Sequence, residues 1–240
     1  MSQAVQELSW FGLALAFIPT LLVVGILYRW SAGAGTAIYA TIRMLGQLLL
    51  IGYVLVYIFE TDQPIVVAAV IVVMLFAASW IAIRPLQNRN RHAYIRALAA
   101  ISVGGLLTLA LVSQLVIVVQ PWFSPRYLVP LGGMIFAAAM NTVSLAAERM
   151  QAEEDRGTSY REARRISLRA SLIPTVNSLF AVGLVTLPGM MTGQILSGIS
   201  PLIAAKYQIV VMSMIFGVSG ISAALYLVLD HRHASAGASE

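Results

Sequence analysis

The side chains best suited to handle a solute lie in one apolar stretch, Arg169–Gly198, around Pro188, Gly189, Met190, Met191, Thr192 and Gln194. Met190 and Met191 offer thioether sulfurs, soft donors that prefer copper(I) to a hard iron ion, while Thr192 and Gln194 offer oxygen to harder cations. No Asp, Glu or His accompanies them. A site here would hold a naked divalent ion weakly, as a path must when the ion has to leave as well as enter. Within a continuous helix Pro188 would remove a backbone donor and clash with the carbonyl of Leu184. Counted from Pro174 at about 1.5 Å per residue, Pro188 would lie roughly 21 Å along the span, about two-thirds of the way across a ~30 Å hydrocarbon core. The sequence therefore predicts a kinked membrane span. A gate and a packing kink are equal readings of it.

Charged chemistry is concentrated just upstream, in Glu148–Arg169, the only extended polar stretch of the chain. Ser159 followed by Glu162 has capping-box spacing and predicts a helix starting after Gly157. On that helix Arg161, Arg165 and Arg169 share a face at spacing four, with Arg164 beside them. Ala163, Ile166, Ala170 and Ile173 share another face. A short amphipathic helix feeding into the kinked span can be a lever pushed by a soluble partner; the alternative is a helix lying on anionic lipid.

Other chemistries lack their parts. There is no cysteine, so no disulfide framework, thiolate site or cysteine nucleophile is available. The only lysine, Lys206, sits in Ala-Ala-Lys-Tyr, which is not the phosphate-binding loop of an ATPase. No HExxH, GxSxG or paired carboxylates appear, and the chain is expected not to be an enzyme. No span carries Asp, Glu or His at its middle, which weighs against a proton- or ion-coupled carrier. His231 and His233 make at most a weak metal pair on a tail expected to be unstructured.

The elements that must position these residues follow from composition. Of 240 residues, 59% are hydrophobic and 10% charged, where soluble domains carry about a quarter charged. The expectation is an all-α polytopic integral membrane protein, a single transmembrane domain over residues 1–240 with the polar segment 148–169 as its coupling element. Seven spans are expected: Leu8–Tyr28, Ala37–Phe59, Pro64–Ile83, Tyr94–Val119, Tyr127–Ala147, Thr175–Ile199 and Tyr207–Leu229. The first has no basic leader or small-residue cleavage site, so a cleaved signal peptide is not expected. Basic connections alternate with connections poor in positive charge, which places the N-terminus outside and the C-terminus in the cytoplasm. The pI of about 9.8 reflects arginines beside spans, so orientation in a bilayer is the expected role and nucleic acid is not an expected partner. Gly132, Gly133, Phe136, Ala137, Met140 and Asn141, and likewise Gly217 and Gly220, read as small faces for close helix packing within the chain or across a dimer.

These residues together resemble the FetB-type family of ABC-transporter permeases, a bacterial family linked to iron export with plant relatives linked to aluminium tolerance. The likeness rests on Arg43-Met-Leu-Gly-Gln47-Leu, Gly52-Tyr-Val-Leu-Val-Tyr-Ile-Phe59, Gly133-Met134 with Asn141, and Arg169-Ala-Ser-Leu-Ile-Pro-Thr175. Its most specific part is Val182-Gly-Leu-Val-Thr-Leu-Pro-Gly-Met-Met-Thr-Gly193, followed by Lys206-Tyr-Gln-Ile209. The resemblance implies a permease in a bacterial inner membrane, working as two permeases with two separate ATPase subunits that bind the ATP and magnesium. The chain itself would bind no cofactor, and any metal site within it is left unassigned. Export of iron, another metal ion or a metal-linked solute is implied, with Asn141, Asn177, Pro188–Thr192 and Gln194 along the path. Arg161, Glu162, Arg164, Arg165 and Arg169 would couple to the ATPase. The rival readings are a membrane assembly factor or receptor that transports nothing, and a secondary transporter.

Overall fold

Most helices begin where proline or a polar cap meets an apolar run. Ser9 accepts a hydrogen bond from the Gly12 amide (3.0 Å) at the start of α1 (Trp10–Leu15). Pro19 stands in the first turn of α2 (Ile18–Arg29), Pro64 opens α4 (Pro64–Ala82) and Pro125 opens α6 (Pro125–Asp155). There the missing N–H is one the helix would leave unpaired anyway. Asn90 caps α5 (Arg91–Ala110) by accepting from the Ala93 amide at 2.7 Å. The remaining helices are α3 (Ala34–Phe59), α7 (Tyr160–Ala181), α8 (Gly189–Leu196) and α9 (Pro201–Gly237).

The computed structural model describes residues 9–237, with side chains described to residue 230. The chain divides into two compact units, Met1–Thr61 and Asp62–Glu240. In the first, α2 packs on α3. In the second, α6 is central and packs against α4, α5, α7 and α9, while α8 packs on α9. Among the described residues six helical stretches are long and apolar enough to cross a membrane: Trp10–Arg29, Ala34–Phe59, Pro64–Ala82, Arg91–Val116, Pro125–Asp155 and Pro201–Asp230. Six of the seven expected spans therefore stand as long helices, with ends shifted by a few residues.

The expected sixth span, Thr175–Ile199, is not one helix. α7 starts at Tyr160, carries its charges in its first ten residues and ends at Ala181. Its apolar part, from Ala170, is about 18 Å long, too short to cross a ~30 Å core. Residues 182–188 are non-helical, and α8 then adds eight residues. The physical reason lies in three residues. Gly183 sits at φ +83°, a left-handed conformation that glycine adopts without strain. Leu187 precedes a proline and is steered away from the helical region. Pro188 caps α8 from an extended conformation (φ −62°, ψ 145°). The proline thus starts a helix instead of kinking one, and the Leu184–Pro188 clash does not arise.

Packing in the second unit relies on small residues. A Cβ on Gly104 would fall onto Ser222 Oγ and within 3.3 Å of the Ser222 backbone nitrogen, and one on Gly132 would come 2.8 Å from Ile71. Gly104 lets α5 approach the backbone of α9, and Gly132 leaves room on α6 for the Ile71 side chain of α4. The small face expected on α6 is therefore divided. Gly132 and Phe136 are buried within the chain, whereas Ala137 and Asn141 are exposed. Buried hydroxyls of Ser79 and Thr142 donate to carbonyls four residues back, Leu75 (2.8 Å) and Ala138 (2.9 Å). That satisfies them where no water is at hand. Along α9 the backbone stays helical to Gly237 where an unstructured tail is expected; the side chains of His231 and His233 lie outside the described residues.

Candidate substrate path and coupling face

One face of α6 borders two cavities. Pro130, Leu131 and Met134 line a cavity of about 390 Å³ together with Ile117, Arg126 and Tyr127 before them, Met190 and Gln194 of α8, Ile199 just before α9 and Tyr207 in its first turns. Met134 also lines a second cavity of about 300 Å³, with Ala138, Asn141, Thr142 and Leu145 of α6. Ser171, Pro174, Thr175 and Ser178 of α7 and Ile215 of α9 close that one. The i, i+4 and i+7 spacing of Met134, Ala138 and Asn141 puts them on one side of the helix. Both cavities are uncharged except for Arg126. Among the described residues no group of three or more His, Cys, Asp or Glu side chains could hold a metal ion.

Several residues singled out from the sequence meet here and others do not. Asn141 reaches the smaller of these two cavities, and Met190 and Gln194 reach the larger. The Gln194 Oε1 atom is buried with no hydrogen-bond partner among the described residues. Met191 is half-buried and lines neither cavity, and Asn177 is exposed on α7 outside both. Gly189 faces open space, with nothing within 4 Å of a Cβ built on it. Thr192 turns its hydroxyl onto the Pro188 carbonyl (3.1 Å), which already accepts from the Thr192 amide at 3.0 Å. In the break it is the Ala181 carbonyl that gathers donors, from the amides of Leu184 (3.2 Å), Val185 (2.8 Å) and Thr186 (3.1 Å). Met134, Arg126 and Tyr207 are lining residues that sequence reasoning did not assign. An arginine closing a charge-poor connection was the signal that could have found Arg126.

At the opposite end of α6 the basic segments converge. The guanidinium of Arg96 on α5 pairs with Asp230 on α9 at 2.8 Å and lies 6.0 Å from the Tyr226 ring centre. The Gln87 amide donates to Gln151 Oε1 (3.2 Å), and the Tyr160 hydroxyl donates to the Leu227 carbonyl (2.9 Å). α7 starts at Tyr160 behind Ser159 as expected, yet the capping box does not close. Ser159 makes no side-chain cap, and Glu162 instead accepts from Arg165 at 2.7 Å. That hydrogen bond, and then the charge of Glu162, raises the pKa of Arg165, which is fully exposed and charged in any case.

Arg161, Arg164, Arg165 and Arg169 are all exposed on α7. The first three rim a groove of about 400 Å³ floored by Leu168 and by Ala224, Leu227 and Val228 of α9. The row of α7 buried against its neighbours is Ala163, Ser167 and Ser171, whereas Ile173 is 55% exposed and Ile166 and Ala170 are half-buried. Small hydroxyl residues win that row because they let α7 approach α6, Ser167 Oγ lying 4.0 Å from Met150 Sδ.

The turn between α6 and α7 is held by a residue that sequence reasoning missed. Glu153 is 5% exposed. Its carboxylate accepts from Arg149 (2.7 Å), Arg156 (3.2 Å) and Thr158 (3.0 Å), and its carbonyl accepts from the Thr158 amide (3.1 Å). Charge-assisted hydrogen bonds of this kind contribute about 1.5–3 kcal/mol. Glu153→Ala should destabilise the protein by about 2 kcal/mol, roughly 5 °C in a detergent melt. It should also expose Arg156–Gly157 to faster tryptic cleavage. A variant that melts and cleaves like the parent would show that the carboxylate does not fix the turn.

Residues 10–234 match the model of the Uncharacterised protein family UPF0014. The chain is 36% identical over 236 residues to a UPF0014 membrane protein of Synechocystis sp., covering 90% of this chain and 89% of that protein. It is 34% identical over 249 residues, 91% of this chain and 90% of the relative, to the Escherichia coli protein named "Probable iron export permease protein FetB". A plant relative, "Protein ALUMINUM SENSITIVE 3" of Arabidopsis thaliana, is 30% identical over 226 residues, 87% of this chain and 81% of its own length. No solved structure matches the chain.

Proposed function

This chain belongs to the UPF0014 family of membrane proteins, and from that premise we propose that it is the permease subunit of an ATP-binding-cassette exporter of iron, another metal ion or a metal-linked solute. The observation that carries the reading is Met134, the residue that the two cavities share on one face of α6. The break after Ala181 supports it. Polar sites in membrane transporters are built where helices are discontinuous, because the interrupted backbone offers ligands that a continuous helix hides. The name of the Escherichia coli relative supports iron as the metal.

In this reading the end that gathers Arg96, Arg161–Arg169 and Asp230 is cytoplasmic, following the arginine bias of the connections. The N-terminus is outside, and the bacterial inner membrane is the location. The groove beneath Arg161, Arg164 and Arg165 receives the ATPase, which binds the ATP and magnesium. α7 carries its motion straight to the break, since helix and break are consecutive. Two copies of the chain work as one transporter, each offering one lever to one ATPase. Gly217 and Gly220 leave open space on α9, which suits close approach of a second copy.

Cells lacking the gene should accumulate iron, or manganese if that is the cargo, under metal excess, and the wild-type chain should restore export. An ATP-binding-cassette subunit should co-purify with it, and particles in nanodiscs should contain two permeases. Unchanged metal content together with no ATPase partner would leave a non-transporting membrane factor as the reading.

A further inference from the structure

Resting on the export reading, we infer that the cavity beside Arg126 takes its metal as an anionic, oxygen-rich complex and not as a bare cation. Arg126 is the one charged side chain that lines it. No acidic residue occurs anywhere between Asp62 and Glu148, or between Glu162 and Asp230. These intervals contain every lining residue of both cavities, so neither cavity has a carboxylate of its own. A naked divalent or trivalent ion placed beside Arg126 would meet like charge and no neutralising ligand.

Two thioethers, Met134 and Met190, do not repair that deficit, because hard ions bind sulfur poorly. The remaining lining groups suit an organic anion. Arg126 offers a planar guanidinium, whose donors match a carboxylate. Tyr127 and Tyr207 supply phenols that both donate and accept. The Gln194 amide oxygen is buried without a partner, and a ligand hydroxyl entering the cavity would satisfy it. At about 390 Å³ the cavity falls in the range of small-molecule sites, far above the needs of a single ion. Within the metal-linked solutes, the chemistry therefore selects hydroxycarboxylate-type chelates, in which the chelator brings the carboxylates that the protein lacks.

The purified full chain in lipid nanodiscs can be titrated with ferric citrate carrying labelled iron and labelled citrate, and separately with ferrous ion alone. Ferric citrate should bind saturably with both labels retained. Arg126→Gln should weaken it about tenfold or more, and Arg126→Lys, which keeps the charge and loses the planar fork, by less than Arg126→Gln. Saturable binding of ferrous ion without chelator, binding of ferric citrate that ignores Arg126→Gln, or no saturable binding of the chelate would each overturn the inference. The export reading is tested separately by the metal content of cells. If deletion leaves cell iron unchanged while the chelate still binds through Arg126, export fails and the cavity assignment stands. If deletion raises cell iron while the purified chain binds the bare ion, the cavity assignment alone fails.

Discussion

Met134→Trp should abolish export while leaving the protein in the membrane. Met134 is the residue common to the two cavities, and an indole there takes up space beside both of them, about 390 Å³ and about 300 Å³. The side chain is half-buried and borders open volume, so the larger group can turn into the cavities instead of straining the core. Export, read as the fall in cell iron after a metal load, should drop about tenfold or more, equivalent to at least about 1.4 kcal/mol on the transport barrier. Met134→Leu keeps volume and apolarity and removes sulfur, and should export within about twofold of the parent. Normal export by Met134→Trp would mean that the two cavities are not the path. Loss in the leucine variant alone would instead make the thioether a ligand. The break calls for a corresponding revision. Because Pro188 caps α8 and does not interrupt a helix, Pro188→Ala restores no helical hydrogen bond and is expected to have a smaller effect than the plug.

The double reversal Arg161→Glu with Arg165→Glu should prevent the ATPase from associating. Both residues rim the groove formed by α7 and α9. Like charges set against each other across an interface cost several kcal/mol, so capture of the ATPase subunit should fall at least about thirtyfold. α7 should survive the change, because both positions are exposed and the Glu162–Arg165 pair that is lost is a surface pair of small worth. The two positions are not equal. Arg165 is already engaged by Glu162 at 2.7 Å, while Arg164 stacks over the Tyr160 ring at 5.5 Å. Arg161→Glu alone should therefore account for more of the loss than Arg165→Glu alone. Undiminished capture by the double variant would move docking to the Arg84–Arg96 connection.

The order of residues alone was enough to define the class of this protein, the position of six long apolar stretches and the family. Apolar run length, arginines between runs and the Leu187-Pro188-Gly189-Met190-Met191 string are local properties, and local properties survive without coordinates. It also placed the start of α7 at Ser159 and the arginine face that follows, because helical periodicity fixes which residues share a side. The nature of the break was decided only by tertiary structure. A proline in an apolar run reads equally as a kink or as a helix start, and what settles it is where α7 begins and how Gly183 turns the chain out of it. The packed row of α7 was likewise hidden. Hydrophobicity favoured Ile166 and Ile173, but close approach to α6 requires the smaller Ser167 and Ser171. The partners of Glu153 lie within five residues of it and only its burial needed the fold, whereas Met134 and Arg126 take their roles from cavities shared by several helices. No spacing rule encodes such a meeting, because it depends on which helices the packing of Gly104 and Gly132 brings side by side.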